Sequence, residues 1–174
     1  MRRVLEHCEL RPFVPEDAPS LAQMANDLTV WRNLRDMFPH PYTLEHARGF
    51  IQHTLGQTPV CHLAIVVDGQ AVGSIGLKLG TDVERISAEL GYWLGAPYRG
   101  RGIVTEAIRA FTDDAFETFS LSRIFALPFG HNVASCRALE KAGFVLEGVL
   151  RRSCIKEGQI LDQRQYARIH EPVA

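Results

Sequence analysis

Arg99-Gly100-Arg101-Gly102-Ile103-Val104-Thr105-Glu106-Ala107 lies between a strand-like run, Ile86 to Leu94, and a stretch with helical periodicity. Glycines two apart let the backbone turn with positive φ, and the helix that follows opens with N–H groups that have no partner inside it. Such a turn aims several donors, a helix dipole and the guanidinium groups of Arg99 and Arg101 at one anion, with a pyrophosphate the best match. A phosphate-bearing ligand is therefore the first expectation. Two other phosphate folds fit less well. The Rossmann pattern would place a third glycine at Thr105, and the strands upstream look antiparallel. A Walker A loop needs Gly-Lys followed by Ser or Thr, a run this sequence lacks.

Working outward, a helix is expected over about Arg101 to Phe119, with Val104, Ile108, Phe111, Ala115 and Phe119 at helical spacing. Before the turn, Cys61 to Val67 and Ala71 to Leu79 read as strands joined by Asp68-Gly69, a hairpin turn in which both positions want positive φ. A third strand, about Glu84 to Leu94, follows a turn at Gly80-Thr81-Asp82. After the helix, a strand at Arg123 to Leu127 leads into a second helix, about Ala134 to Ala142, closed by Gly143. Phe144 to Arg151 and Ile160 to Ile169 then form a terminal pair around Glu157-Gly158. At the start of the chain, a short strand at Glu9 to Val14 precedes a helix over about Asp17 to Leu28. A further helix enters through Thr43 and carries Ala47, Phe50, Ile51 and Leu55 on one side. The fold class is α/β, a mixed and mostly antiparallel sheet with helices, and 174 residues suit one domain spanning 1–174.

The bulk numbers narrow the function. A net charge of -1 argues against a large nucleic-acid footprint or a polybasic membrane patch. The basic start, Met1-Arg2-Arg3, lacks an apolar stretch of signal-peptide length, so a cytoplasmic protein is expected. Cys8, Cys61, Cys136 and Cys154 form no close pair, and the seven histidines show no metal-ligand spacing, so reduced thiols and no metal are expected.

Three patterns then occur in order: Ala88-Glu89-Leu90-Gly91-Tyr92-Trp93-Leu94 on a strand, Arg99 to Val104 opening a helix, and Asn132-Val133-Ala134-Ser135 running on to Glu140-Lys141-Ala142-Gly143-Phe144. Together they closely resemble the GNAT superfamily of N-acetyltransferases, and within it the branch that acetylates the N-terminal alanine of ribosomal proteins. The resemblance covers nearly the whole chain and includes Leu10-Arg11-Pro12, Val149-Leu150-Arg151 and Tyr166-Ala167-Arg168. It implies the acyl-CoA N-acyltransferase fold, with acetyl-CoA in an opening between two splayed parallel strands, about Glu84 to Leu94 and Arg123 to Leu127. The pyrophosphate would accept bonds from the backbone around Arg101, Gly102, Ile103, Val104 and Thr105, with Arg99 and Gly100 completing the turn. Asn132 would bond the pantetheine arm, unless it serves only to cap its helix. Val104 departs from the family pattern, which carries Gly or Ala there.

Acetyl transfer requires a neutral amine, a partner for the developing oxyanion and a proton for the leaving thiolate. Glu89 is the candidate base, sharing an alternation face with Gly91 and Trp93, and the resemblance assigns the acetyl oxygen to N–H groups near Tyr92, Trp93 and Leu94. Many relatives protonate the thiolate with a tyrosine where this chain has Leu139, which leaves Ser135 as the donor, with helix capping as its competing role. Cys154 stands where some ribosomal-protein acetyltransferases carry a glutamate implicated in base catalysis. Trp31, Asn33, Met37, Phe38 and Tyr42 are the expected lining of the acceptor pocket. The expected partner is an amine, either a protein N-terminus or a small molecule, and the chain is expected to be a monomer or homodimer. The alternatives are a non-catalytic acyl-CoA-binding or sensor domain of the same fold and an unrelated nucleotide-binding module.

Overall fold

The computed structural model describes residues 1–170. Its strands are β1 (Arg3–Val4), β2 (Glu9–Arg11), β3 (His62–Val67), β4 (Gln70–Leu79), β5 (Ser87–Leu94), β6 (Arg123–Ala126), β7 (Val145–Lys156) and β8 (Gln159–Ile169). Its helices are α1 (Ala18–Ala25), α2 (Leu28–Trp31), α3 (Leu44–Leu55), α4 (Ile103–Phe119) and α5 (Val133–Lys141). The eight strands follow the order β1-β2-β3-β4-β5-β6-β8-β7. The pair β5–β6 is parallel, in the register Ser87↔Arg123, Ala88↔Ile124 and Glu89↔Phe125. The pairs β1–β2, β2–β3, β3–β4, β6–β8 and β7–β8 are antiparallel.

Contacts group the chain into two compact units, Met1–Gly76 with Tyr92–Ala107, and Leu77–Gly91 with Ile108 onward. In the first, α1 and α3 bury Ala18, Leu21, Ala25, Ala47 and Ile51 with Phe13, Ala64 and Val66 of the sheet side, and Phe13 meets Phe50 edge-on at 5.4 Å. A bidentate pair fixes the entry to α1: Arg11 donates to both carboxylate oxygens of Asp17 at 2.7 and 2.8 Å, and Val14 N–H donates to the same group. The Asp68-Gly69 turn has φ of 50° and 77°, as a two-residue hairpin requires. Thr43 caps α3 by accepting from the N–H of His46, and the His46 ring accepts from the N–H of Thr43. Thr43→Ala removes both the cap and its reciprocal geometry, and is expected to lower stability by about 1 kcal/mol in urea unfolding.

In the second unit, Phe111, Ala115 and Phe116 of α4 are buried, as are Ile124 of β6, Tyr166 of β8, and Cys136 and Leu139 of α5. Arg168 on β8 ties the strand to α4 through Asp113 at 2.6 Å and the Thr112 hydroxyl at 2.7 Å. Tyr166 donates its hydroxyl to Glu140 of α5 at 2.7 Å. Burial first, and that bond second, push its phenol up to about 12, so it stays a neutral donor holding α5 on the strand. Gly143, with φ of 92°, ends α5 as its pattern predicts.

Several boundaries differ from the sequence reading for physical reasons. The helix expected over Asp17 to Leu28 is two helices, because Asn26 takes φ -80°, ψ 61° and Asp27 is extended, accepting the N–H of Thr29 as the cap of α2. The strand expected over Glu9 to Val14 stops at Arg11, where Pro12 brings no N–H for a ladder. The strand expected to end at Arg151 continues to Lys156 through an irregularity between Leu150 and Cys154, where Arg152 has φ of 52° and donates its N–H to Asp162. The two-residue β1 is too short to leave a periodic signal.

Candidate active site

The turn leading into α4 has the backbone its sequence calls for. Gly100 and Gly102 sit at φ of 76° and 81°, and no atom comes within 4 Å of a Cβ built on either. Conformation, rather than crowding by the protein, thus demands glycine there, and the space over the turn is open. The first helical bond is Glu106 N–H to Gly102 C=O, so the N–H groups of Ile103, Val104 and Thr105 lie in the first turn, where a helix supplies no acceptor. Ile103 is buried and anchors the turn, while Val104 and Thr105 are half-buried. This donor set fits a pyrophosphate. Glu106 faces elsewhere, accepting from the N–H of Glu6 at 2.8 Å and of His7 at 3.1 Å, and so fastens the β1–β2 connection to α4.

The two arginines of the turn differ. The Arg101 guanidinium lies over the Tyr98 ring at 5.6 Å from its centre, exposed and available to an anion. Arg99 donates through Nε to the carbonyl of Leu94 at 3.1 Å and through Nη1 to the Thr29 hydroxyl at 2.8 Å. Thr29 in turn donates to Asp27 at 2.7 Å. Burial pulls the Asp27 carboxyl upward, but its bonds from Thr29 and the Arg99 charge outweigh this and hold it below the usual carboxylate range.

The residues of the same unit that were expected to line an acceptor pocket are partly brought together. Phe38 stacks on Tyr42 at 4.8 Å and meets Trp93 edge-on at 5.8 Å, while Trp31 lies 5.7 Å from the His40 ring. Burial pushes the Tyr42 phenol up to about 12, so it stays neutral. Asn33 donates Nδ2 to the carbonyl of Thr29 at 2.9 Å, whereas its Oδ1 is buried without a hydrogen-bond partner. Met37 is 87% exposed and lies outside this aromatic group.

In the second unit, Glu89 is half-buried between the buried Ala88 and Leu90, at the last residue of β5 that pairs with β6. Asn132 accepts the N–H of Ser135 on Oδ1 at 3.2 Å, the capping role foreseen as its alternative. That bond leaves the orientation of the amide nitrogen fixed by the cap. Ser135 is half-buried in the first turn of α5, and Leu139, one turn on, is entirely buried. The loop before α5 is pinned to β8 by Gly130 N–H to Asp162 C=O, Arg164 N–H to Pro128 C=O, and Gln163 Nε2 to Leu127 C=O. Sequence reasoning missed these clamps, the Tyr166–Glu140 bond and the Arg99–Thr29 bond. Tyr166, Glu140 and Arg99 each lay in a motif, but no motif indicated these partners.

The model of the acetyltransferase (GNAT) domain matches residues 7–145. The probable N-acetyltransferase YjcK of Bacillus subtilis is 34% identical over 136 residues, 75% of each chain. The spermidine N(1)-acetyltransferase of Escherichia coli is 26% identical over 94% of this chain and 90% of its own length. Among solved structures, RimL, a ribosomal-protein α-N-acetyltransferase in complex with coenzyme A, superposes with a TM-score of 0.84 at 23% identity, over 96% of both chains. Among the described residues no helix is long and apolar enough to cross a membrane. With the family model matched over most of its length and a curated relative above 30% identity, the chain belongs to the GNAT family of acetyltransferases and is an N-acetyltransferase.

Proposed function

We propose that this protein transfers an acetyl group from acetyl-CoA to a primary amine by direct attack, with a protein N-terminal amine as the leading acceptor and a small polyamine as the second. The observation that carries the donor is the turn at Arg99 to Thr105: two glycines at positive φ, open space above them and the first-turn N–H groups of α4. Arg101 adds charge there. The acceptor classes come from relatives that act on ribosomal protein or spermidine.

Bound acetyl-CoA supplies an acyl group already activated as a thioester. Glu89 takes the proton that the amine loses as its nitrogen bonds to the acetyl carbon, directly or through one water. Successive N–H groups of β5 point to opposite edges, so an N–H of the segment Tyr92 to Leu94 that faces away from β4, rather than that of Trp93, holds the acetyl oxygen as negative charge gathers on it. Asn132 donates Nδ2 to a carbonyl of the pantetheine arm while its Oδ1 caps α5. Ser135 gives its hydroxyl proton to the sulfur as the carbon–sulfur bond breaks, a role open to it because Leu139 has no proton to give. Trp31, Asn33, Phe38 and Tyr42 flank the acceptor, with Met37 at its rim. An α-amino group, with a pKa near 7.7–8.0, is partly neutral at physiological pH and asks less of such a base than a lysine or polyamine amine does.

Calorimetry with acetyl-CoA, followed by thiol release across N-terminal peptides, polyamines and aminoglycosides, tests the proposal. Saturable binding and release with peptide N-termini are expected. Lack of binding at millimolar acetyl-CoA would overturn the donor, and binding without turnover against every amine would favour a domain that only binds acyl-CoA.

A further inference from the structure

Alternation along the strands of the second compact unit sorts its residues onto two faces of the sheet. Tyr166 bonds Glu140 of α5, and Arg168 bonds Asp113 and Thr112 of α4, so their face is the one the two helices cover. The registers Ala88↔Ile124, Ile124↔Arg168 and Ala126↔Tyr166 put Ala88, Ile124 and Ala126 on that same face, and all three are buried. Glu89 has the opposite parity and faces the other way. Its partner on β6 is Phe125, the partner of Phe125 on β8 is Ala167, and the partner of Ala167 on β7 is Val145. One row, Glu89-Phe125-Ala167-Val145, therefore crosses four strands from the proposed base to the edge of the sheet. At about 4.8 Å between strands it is about 14 Å long.

With α4 and α5 on the opposite face, this row lies open. Val145 is 69% exposed and Ile169, two residues along β8 from Ala167, is 53% exposed, while Phe125 is half-buried and the short Ala167 lies low between its neighbours. The charges beside the row cancel. Arg123, two residues before Phe125 and 5.8 Å from the centre of its ring, donates through both Nη atoms to the carboxylate of Glu147, which also accepts from Gln165 Nε2 at 3.1 Å. Those bonds, from Arg123 first and Gln165 second, hold the Glu147 carboxyl down to about 2, so the pair stays made at any working pH. What leads away from Glu89 is an apolar strip with no net charge along its border.

Resting on the reading of Glu89 as the base of acetyl transfer, we infer that this strip is the docking track for the first residues of a polypeptide acceptor, its amine at Glu89 and its next residues laid over Phe125, Ala167 and Val145. The row has room for about four extended residues at about 3.3 Å each. Its chemistry selects apolar, uncharged residues behind the amine, which cover Phe125 and Val145 from water. A polyamine carries further ammonium groups along its length and gains nothing from the strip, because Glu147, the carboxylate that borders it, is committed to Arg123. A second copy of the chain seated on the same row would close the approach to Glu89, so the acceptor is the occupant that is compatible with turnover.

Thiol release with two acceptors reads this directly: alanine amide, and an alanine-led pentapeptide amide whose second to fourth residues are apolar. In the native protein kcat/KM is expected to be at least tenfold higher for the pentapeptide. Val145→Asp puts a charge on the strip and is expected to cut that ratio below threefold, through a raised KM for the pentapeptide rather than a lowered kcat. Val145→Ile should keep the ratio, and Val145→Ser replaces Val145→Asp if the latter does not fold. Equal values for the two acceptors in the native protein would overturn the inference, as would a ratio unchanged in Val145→Asp or a kcat/KM for spermidine above that for the pentapeptide. Sedimentation that shows a native dimer converted to monomer by Val145→Asp would give the strip to a second copy and overturn it too. Failure of the transferase reading shows separately, as bound coenzyme A with no turnover of any amine. Calorimetry of the pentapeptide on the coenzyme A-loaded protein, native against Val145→Asp, then still decides whether the strip holds a polypeptide.

Discussion

Gly102→Val is expected to weaken coenzyme A binding at least tenfold, and usually much more, while leaving a folded protein. Gly102 holds φ of 81°, where an L-residue pays about 1–2 kcal/mol and a β-branched one more. A Cβ added there meets no protein atom within 4 Å outside its chain neighbours, so crowding at that atom does not resist the substitution. The backbone instead relaxes toward negative φ, which swings the N–H groups at the start of α4 away from their common point. Each misdirected charge-assisted bond costs about 1.5–3 kcal/mol, and tenfold in affinity is 1.4 kcal/mol. The open space over Gly102 is also where the pyrophosphate is proposed to sit, so the valine would add a steric penalty only when the ligand is present. Calorimetric titration with coenzyme A, together with a thermal unfolding curve, separates the two effects. A Gly102→Val protein that folds and binds coenzyme A as the native chain does would remove the turn from the cofactor site.

The same turn shows what a sequence can disclose. Its glycines, the Asp68-Gly69 hairpin, the Asn132 cap and the Gly143 helix end are local: each is dictated by the backbone conformation of one or two residues, and each stands where its pattern placed it. The α1–α2 break was hidden because Asn26 and Asp27 sit inside an otherwise apolar periodicity, and the bond that opens α2 is made by the Asp27 side chain, a residue with modest helix preference of its own. The extension of β7 to Lys156 was hidden because a residue at positive φ interrupts the alternation, and it is stabilised by Asp162 from the next strand. Of the residues in the proposed site, Glu89, Asn132 and the turn at Arg99 to Thr105 stand in sequence motifs. Arg99 was legible only as a charge near a phosphate: its bond to Thr29 spans 70 positions of sequence, and no local pattern encodes such a partner.

Replacing Glu89 by Gln is expected to lower kcat by at least a hundredfold with an acceptor amine, with coenzyme A affinity changed less than about twofold. The substitution preserves shape and polarity and removes one capability, that of accepting a proton. General-base assistance contributes about 10²–10⁴ in rate, which sets the range. The cofactor contacts proposed here come from the turn at Arg99 to Thr105 and from Asn132, none of which requires a charge at position 89, so binding and turnover should separate. The position favours this role: Glu89 is half-buried at the end of the paired part of β5, and the strand continues into the segment proposed to hold the acetyl oxygen. The pH profile carries the sharper test. With no carboxylate at position 89 to take the proton, the rate of Glu89→Gln should follow the amine's own deprotonation, visible in kcat/KM. Raising the pH should then recover part of the lost rate with an α-amino acceptor, because the fraction of neutral amine grows above a pKa near 7.7–8.0. A polyamine, whose amines stay protonated to higher pH, should recover less over the same interval. An unaltered profile in Glu89→Gln would remove the carboxylate from proton transfer and leave the neutral fraction of the amine as what sets the rate.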